Sequence, residues 1–147
     1  MMLTVAILGV LMAKSDKTKA KDALDKIFSM FIRLRDADEY GYCECCSCGK
    51  RVYWREIHAG HWIIRKYLST RWDELNVHAQ CCGCNTFGEG NSAGYAKFML
   101  KKYGSEVMDD LLEKKQDHVV WRVDDYKELI EVYKAKVKAL KKIKNII

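Results

Sequence analysis

An α+β, mostly helical fold wrapped around a cysteine-rich centre is what this sequence predicts, and three observations carry that prediction. A helical hydrophobic period runs from Asp16 to Asp38 and returns after Asn91. Between Cys43 and Asn85 the period is lost, and Cys, His, Trp, Tyr and Gly become dense. All seven cysteines of the 147-residue chain fall between Cys43 and Cys84. The length suits one domain, and 49% apolar with 31% charged residues is globular composition. A disulfide framework would spread an even number of cysteines to close large loops. An odd, clustered set reads instead as a metal site in a reducing compartment. The balance of 26 Lys+Arg against 20 Asp+Glu, a net charge of +6, permits a polyanionic partner without demanding one.

Residues 1–14 form an apolar N-terminal extension. Its apolar run, Met2 to Ala13, is too short to span a membrane by roughly eight residues. The basic Lys14 and Lys17 follow the run, whereas a secretory signal places them before it. Met1 to Leu11 is therefore expected to be either an upstream misread start or a short helix packed on the body, with no membrane insertion. From Asp16 to Asp38 the positions Ala20, Leu24, Ile27, Phe28, Phe31, Ile32 and Leu34 keep amphipathic spacing, Ser15 is an N-cap, and Gly41 ends the helix. Val52 to Trp54 and Ile57 to Ile64 read as strand-like pieces of a small hairpin region. Asn91 or Ser92 then caps a helix through Tyr103 with Gly104 at its end, and Ser105 caps a second through Lys115. Asp124 or Asp125 opens a long last helix with Leu129, Ile130, Tyr133, Val137, Leu140 and Ile143 along one stripe. Its early acids and its lysines from Lys134 to Lys144 match the helix dipole, and the same lysines are a candidate non-specific DNA arm.

Cys45-Cys46-Ser47-Cys48-Gly49 and Cys81-Cys82-Gly83-Cys84-Asn85 are two CxxC knuckles. Each turn points two thiolates at a common point, and two turns complete a closed, structural, four-cysteine zinc site of Cys45, Cys48, Cys81 and Cys84. Cys43, Cys46 and Cys82 are left over, so Cys43 or Cys46 competes for the first knuckle. The segment between the knuckles carries His58-Ala59-Gly60-His61-Trp62 and then Asn76, and Asn85 directly follows the second CxxC. Arg55, Arg65, Lys66 and Arg71 surround this segment and are candidates to hold a DNA strand by its phosphates. Trp54, Trp62, Trp72 and Trp121 read as core rather than as base-stacking platforms.

The order His, Asn, Asn around a CxxC resembles an HNH (ββα-metal, His-Me finger) nuclease clamped by zinc knuckles. The runs YGYCECCSCGK, AGHW, STRWDELNVHAQCCGCN and GEGN, with Tyr95 to Gly104, resemble the NinG (Rap) family of lambdoid phage recombination endonucleases over Lys21 to Leu140. The resemblance implies a single zinc-stabilised HNH-like domain over residues 15–147, its ββα core over 43–103 and C-terminal helices over 105–147. It implies three site residues. His61 is the general base, Asn76 shapes the loop between strands and helix, and Asn85 binds a catalytic Mg²⁺ or Mn²⁺. Asn85 after a CxxC is also a natural helix cap, and the two roles coexist. Where the family more often has an acid three residues before the histidine of AGH, this chain has His58. A neutral imidazole there ligates a cation without supplying charge and favours softer ions than Mg²⁺. His78 is a lesser candidate. The implied activity is structure-specific cleavage of branched DNA, Holliday junctions or D-loops, by a homodimer in the cytoplasm of a bacterial host. Two other readings stay open: a non-catalytic zinc module that binds DNA as a recombination accessory, and a general HNH nicking nuclease.

Overall fold

The computed structural model describes residues 13–147, so the expectation for Met1 to Leu11 lies outside the described residues. Among the described residues no helix is long and apolar enough to cross a membrane. Helix α1, Asp16–Asp36, begins where Ser15 Oγ accepts the Thr18 N–H at 3.2 Å. It stops two residues before the expected Asp38, because the Asp38 carboxylate takes the N–H groups of Tyr40 and Tyr42 and turns the chain. Gly41, at φ 84°, completes that turn.

Two antiparallel pairs follow. Strands β1 (Tyr42–Glu44) and β2 (Arg51–Tyr53) flank the first knuckle, and β3 (His58–His61) pairs with β4 (Val77–Gln80) in the register His58 to Gln80 and His61 to Val77. Strand β4 is buried along its length and was not evident in the sequence. The link between β3 and β4 carries the short helix α2, Leu68–Arg71, and a π-helical turn, Gly83–Phe87, follows β4 across the second knuckle. Alternation sends Ala59, Val77 and Ala79 into the core against α1, and His78 and Gln80 to the opposite side. The α1 end is fastened to β4 by adjacent charges. Arg35 donates to the carbonyls of Glu74 (2.7 Å) and Val77 (2.8 Å), while Asp36 accepts the Ala79 N–H (2.8 Å).

Helix α3, Ser92–Tyr103, is capped by the Asn91 side chain. Helix α4, Ser105–Lys114, takes Gly104 rather than Ser105 as its N-cap, since that residue must adopt φ 83°. Helix α5, Val123–Lys144, starts from Arg122, whose N–H the Asp125 carboxylate accepts, two residues before the first of the expected acids. The main core lies between α1 and α5. Phe28 and Phe31 meet the Tyr133 ring at 4.9 and 5.0 Å, with Leu24, Ile32 and Leu34 fully buried beside them. Each such side chain contributes about 1.5–3 kcal/mol by leaving water. Trp72, Trp121 and Tyr126 stack at one end of this core and Trp54 is buried at the other, as expected of core tryptophans. The α5 stripe packs on α1 of the same chain through Ile130, Tyr133 and Val137, while Ile143 at its far end is exposed. Lys144 Nζ closes the assembly by donating to the carbonyls of Leu34, Arg35 and Ala37 at the α1 terminus. A smaller core of Ile63, Tyr95, Met99 and Leu111 joins the β3–β4 link to α3 and α4.

Candidate functional site

The two knuckles converge because β1–β2 and the β4–π-turn junction lie side by side, with Cys46 N–H donating to the Ala79 carbonyl at 2.9 Å. The Sγ atoms of Cys45, Cys48, Cys81 and Cys84 all lie within 4.8 Å of one another. A tetrahedron of Zn–S bonds of about 2.3 Å has edges of about 3.8 Å. The Cys48–Cys81 separation of 3.7 Å is such an edge. The donor set is soft and closed, and a metal ion such as zinc fits it. Cys84 N–H and the Asn91 amide donate to Cys81 Sγ (3.4 Å) and Cys84 Sγ (3.3 Å), which orients two of the sulfurs. Burial raises the Cys45 thiol, but N–H groups of Cys81, Cys48 and Ser47 outweigh that and bring it down to about 7. The other three cysteines stand apart. Cys43 is buried under α1 with its thiol donating to the Arg33 carbonyl, Cys46 lies against Ser47, and Cys82 is exposed.

His58 and Asn85 are brought together: the Asn85 amide donates to His58 Nδ1 at 3.1 Å. His61, three residues along β3, faces the α1 side and makes no hydrogen bond with that pair. Its Nε2 lies 2.8 Å from the Arg71 carbonyl, which can only accept. Nε2 therefore carries the proton, and Nδ1 is left as a base. Burial lowers the imidazole pKa to about 4, reinforced by Arg65 and Arg71 and opposed by the Arg71 carbonyl and Asp25. The ring borders a cavity of about 230 Å³ whose walls include Asp25, Lys26, Ser29 and Arg65.

Asn76 is completely buried and shapes the β3–β4 link. Its Oδ1 accepts the Ile63 N–H (2.7 Å), and its Nδ2 donates to the carbonyls of Ile63 and Thr70 (3.0 Å each). Of the four basic residues expected at phosphates, Arg71 is committed internally. It donates to both Asp25 oxygens and to the Arg65 carbonyl, and its side chain is 11% exposed. Arg65 shares the same carboxylate but is half exposed, Arg55 lies over the Trp54 ring, and Lys66 is exposed. Three of the six C-terminal lysines also have internal partners: Lys134 with Glu131, Lys136 with Glu74, and Lys144 under α1.

Sequence reasoning missed Asp25, which reads as part of the polar face of α1. Burial raises its carboxyl pKa, but hydrogen bonds and charge from Arg71, with Arg65 and Trp72 Nε1, hold it below the usual range. It also missed a buried chain through His78. Tyr95 Oη donates to the Gly60 carbonyl (2.8 Å), so His78 Nδ1–H donates to Tyr95 and the Tyr103 hydroxyl donates to His78 Nε2 (2.7 Å). That arrangement makes His78 a packed, hydrogen-bonded side chain rather than a ligand.

The chain is a helical and β domain in which two CxxC knuckles bring four cysteines together beside a histidine-bearing strand pair. A family model described as Bacteriophage Lambda NinG protein matches residues 10–144, and the chain belongs to the NinG family. It is similar to Protein ninG of Escherichia phage 933W, 30% identical over 76% of this chain and 53% of the relative. Protein ninG of Escherichia phage lambda and of Salmonella phage P22 are each 29% identical over 76% of this chain and 52% of the relative. The chain thus spans about half the length of the curated relatives it matches. No solved structure matches it.

Proposed function

We propose that this chain is a metal-dependent DNA endonuclease of the HNH (His-Me finger) type, acting in phage recombination on branched DNA such as Holliday junctions and D-loops. The observation that carries the proposal is His61: its tautomer is fixed by the Arg71 carbonyl, so Nδ1 is an unprotonated base beside a cavity that also presents Lys26 and Arg65. In this role Nδ1 takes the proton of a water as its oxygen attacks the phosphodiester, and the two cationic side chains hold the phosphate. His58 and Asn85 offer two neutral donors on the neighbouring part of β3 and the π-helical turn. These two residues would hold a Mn²⁺-like cation. Such an ion would supply Lewis-acid stabilisation of the leaving oxygen. The order β3, β4, helical turn, with His61 in its first element and Asn85 in its last, supports the ββα reading.

A second reading is favoured by one observation: His61 is packed, hydrogen-bonded and directed away from the His58–Asn85 pair. On that reading the domain is a zinc module that binds DNA without cutting it. The two part on one experiment. A labelled four-way junction and a linear duplex of the same arm sequence are incubated with the protein and Mn²⁺ or Mg²⁺, with His61→Ala as partner. Junction-selective cutting that His61→Ala loses while still binding supports the nuclease. Binding without cutting in either metal supports the module, and equal cutting of both substrates indicates a general HNH nuclease.

A further inference from the structure

We propose that Asp25, on α1, is a positioning residue for His61, acting through the backbone carbonyl of Arg71. Its carboxylate is the hub of the β3–β4 link: Arg71 Nε and Nη2 donate to its two oxygens at 3.0 and 2.5 Å, Arg65 Nη2 at 2.9 Å and Trp72 Nε1 at 2.9 Å. The bidentate fork fixes the Arg71 guanidinium as a plane rather than as a point charge. A further donation from Arg71 Nη1 to the Arg65 carbonyl, at 2.7 Å, ties both ends of the 65–71 segment to the same side chain. Because three donor residues converge on one carboxylate, the backbone of residue 71 has a single place to be. The carbonyl of that residue is the acceptor for His61 Nε2–H at 2.8 Å. The chain of cause is therefore Asp25 to the Arg71 side chain, to the Arg71 carbonyl, to the tautomer and direction of the His61 ring.

No other contact does this for His61. The described hydrogen bonds give its ring one partner, and Nδ1 has none. With one hydrogen bond to the ring, a shift of the Arg71 carbonyl changes which ring nitrogen is protonated. Asp25 lines the same cavity as His61, but its charge is matched by Arg71 and Arg65, and it makes no hydrogen bond to the His61 ring. It is a support for the site and not a participant in the chemistry.

The inference rests on the proposed role of His61, and its test separates the two. Long-range ¹H–¹⁵N spectra of the zinc-loaded protein report which ring nitrogen of His61 carries the proton, whether or not the protein cuts DNA. Wild type is expected to show the Nε2–H tautomer alone, and Asp25→Asn a mixture of both. In the junction assay kcat of Asp25→Asn falls between about tenfold and 100-fold, the cost of a misplaced catalytic group, with KM nearly unchanged. Arg71→Lys keeps a positive charge but cannot form the fork, and it is expected to mix the tautomers likewise; it provides the same readout should Asp25→Asn fail to fold. A folded Asp25→Asn or Arg71→Lys protein that retains the pure Nε2–H tautomer overturns the inference. If the wild type never cuts DNA yet the tautomers mix as expected, the proposed activity fails and the positioning stands.

Discussion

Replacing Asn76 with Ala tests how the link between β3 and β4 is held, and its cost can be worked from the contacts. The side chain is fully buried and makes three hydrogen bonds. Two of them serve Ile63, whose N–H and carbonyl have no other partner among the described residues. The third goes to the Thr70 carbonyl, which retains the Asp73 N–H at 3.2 Å. Asn76→Ala therefore orphans two buried backbone groups at about 1–2 kcal/mol each and removes one ordinary bond worth about 1 kcal/mol, roughly 4 kcal/mol in all. That is a large part of the 5–15 kcal/mol stability typical of a domain, and it lowers Tm by roughly 10–15 °C. Urea unfolding of the zinc-loaded protein, followed by tryptophan fluorescence, measures it as a shift in midpoint at constant slope. Asn76→Asp is expected to lose at least as much, since a carboxylate then faces two carbonyl oxygens with no hydrogen to offer. A loss below about 1 kcal/mol in Asn76→Ala would refute the premise that Ile63 depends on this side chain.

Gly60→Ala should destabilise severely, because a Cβ there would stand 2.1 Å from Gln80 Oε1 and 2.8 Å from Gln80 Cβ, inside a side chain pinned by Ser47 and Gly90; circular dichroism melts check this, and a melt within 3 °C of wild type would count against it. Cys84→Ser is expected to abolish stoichiometric zinc and the cooperative melt, whereas Cys43→Ser keeps zinc and costs about 1 kcal/mol, since the new hydroxyl can still donate to the Arg33 carbonyl; metal analysis beside thermal melts decides it. Burial lowers the pKa of His61 to about 4 and that of His78 to about 3, so both stay neutral in the fold at pH values where a free imidazole is charged. The unfolded chain then binds the protons first, and stability that is full above about pH 6.5 drains by about 1.4 kcal/mol per unit per histidine as pH falls toward the folded values. Imidazole carbon shifts that titrate near 6.5 in the folded protein would contradict this.

What the sequence made legible was whatever follows from local chemistry. Hydrophobic period located α1, α3, α4 and α5 to within two residues, and side-chain caps at Ser15 and Asn91 were readable because the cap and the groups it serves are neighbours. The CxxC spacing marked the four thiols that converge, since each pair is set by its own turn. Where reading failed, the cause was distance along the chain. Val77–Gln80 has too little alternation to announce a strand, and its character comes from α1 on one side and α3 on the other. Asp25 looks like an ordinary helix-surface acid until the Arg65–Trp72 segment folds over it. Arg71 was read as a phosphate contact for the same reason: its partner lies 46 positions away. The stripe on α5 showed that the helix must cover something, and only the tertiary structure identified that surface as α1.

The bond from Lys144 to the Leu34 carbonyl joins residues 110 apart, and the α1–α5 core it seals has a comparable span. A nascent chain emits α1 long before the surface meant to cover it exists. At about 5–20 residues per second, the phenylalanine-rich side of α1 waits on the order of 10 s for α5 to leave the ribosome. During that interval the knuckles, whose cysteines all lie in the middle of the chain, are already available to capture metal. A metal ion bound there would therefore load before hydrophobic closure in the order of synthesis.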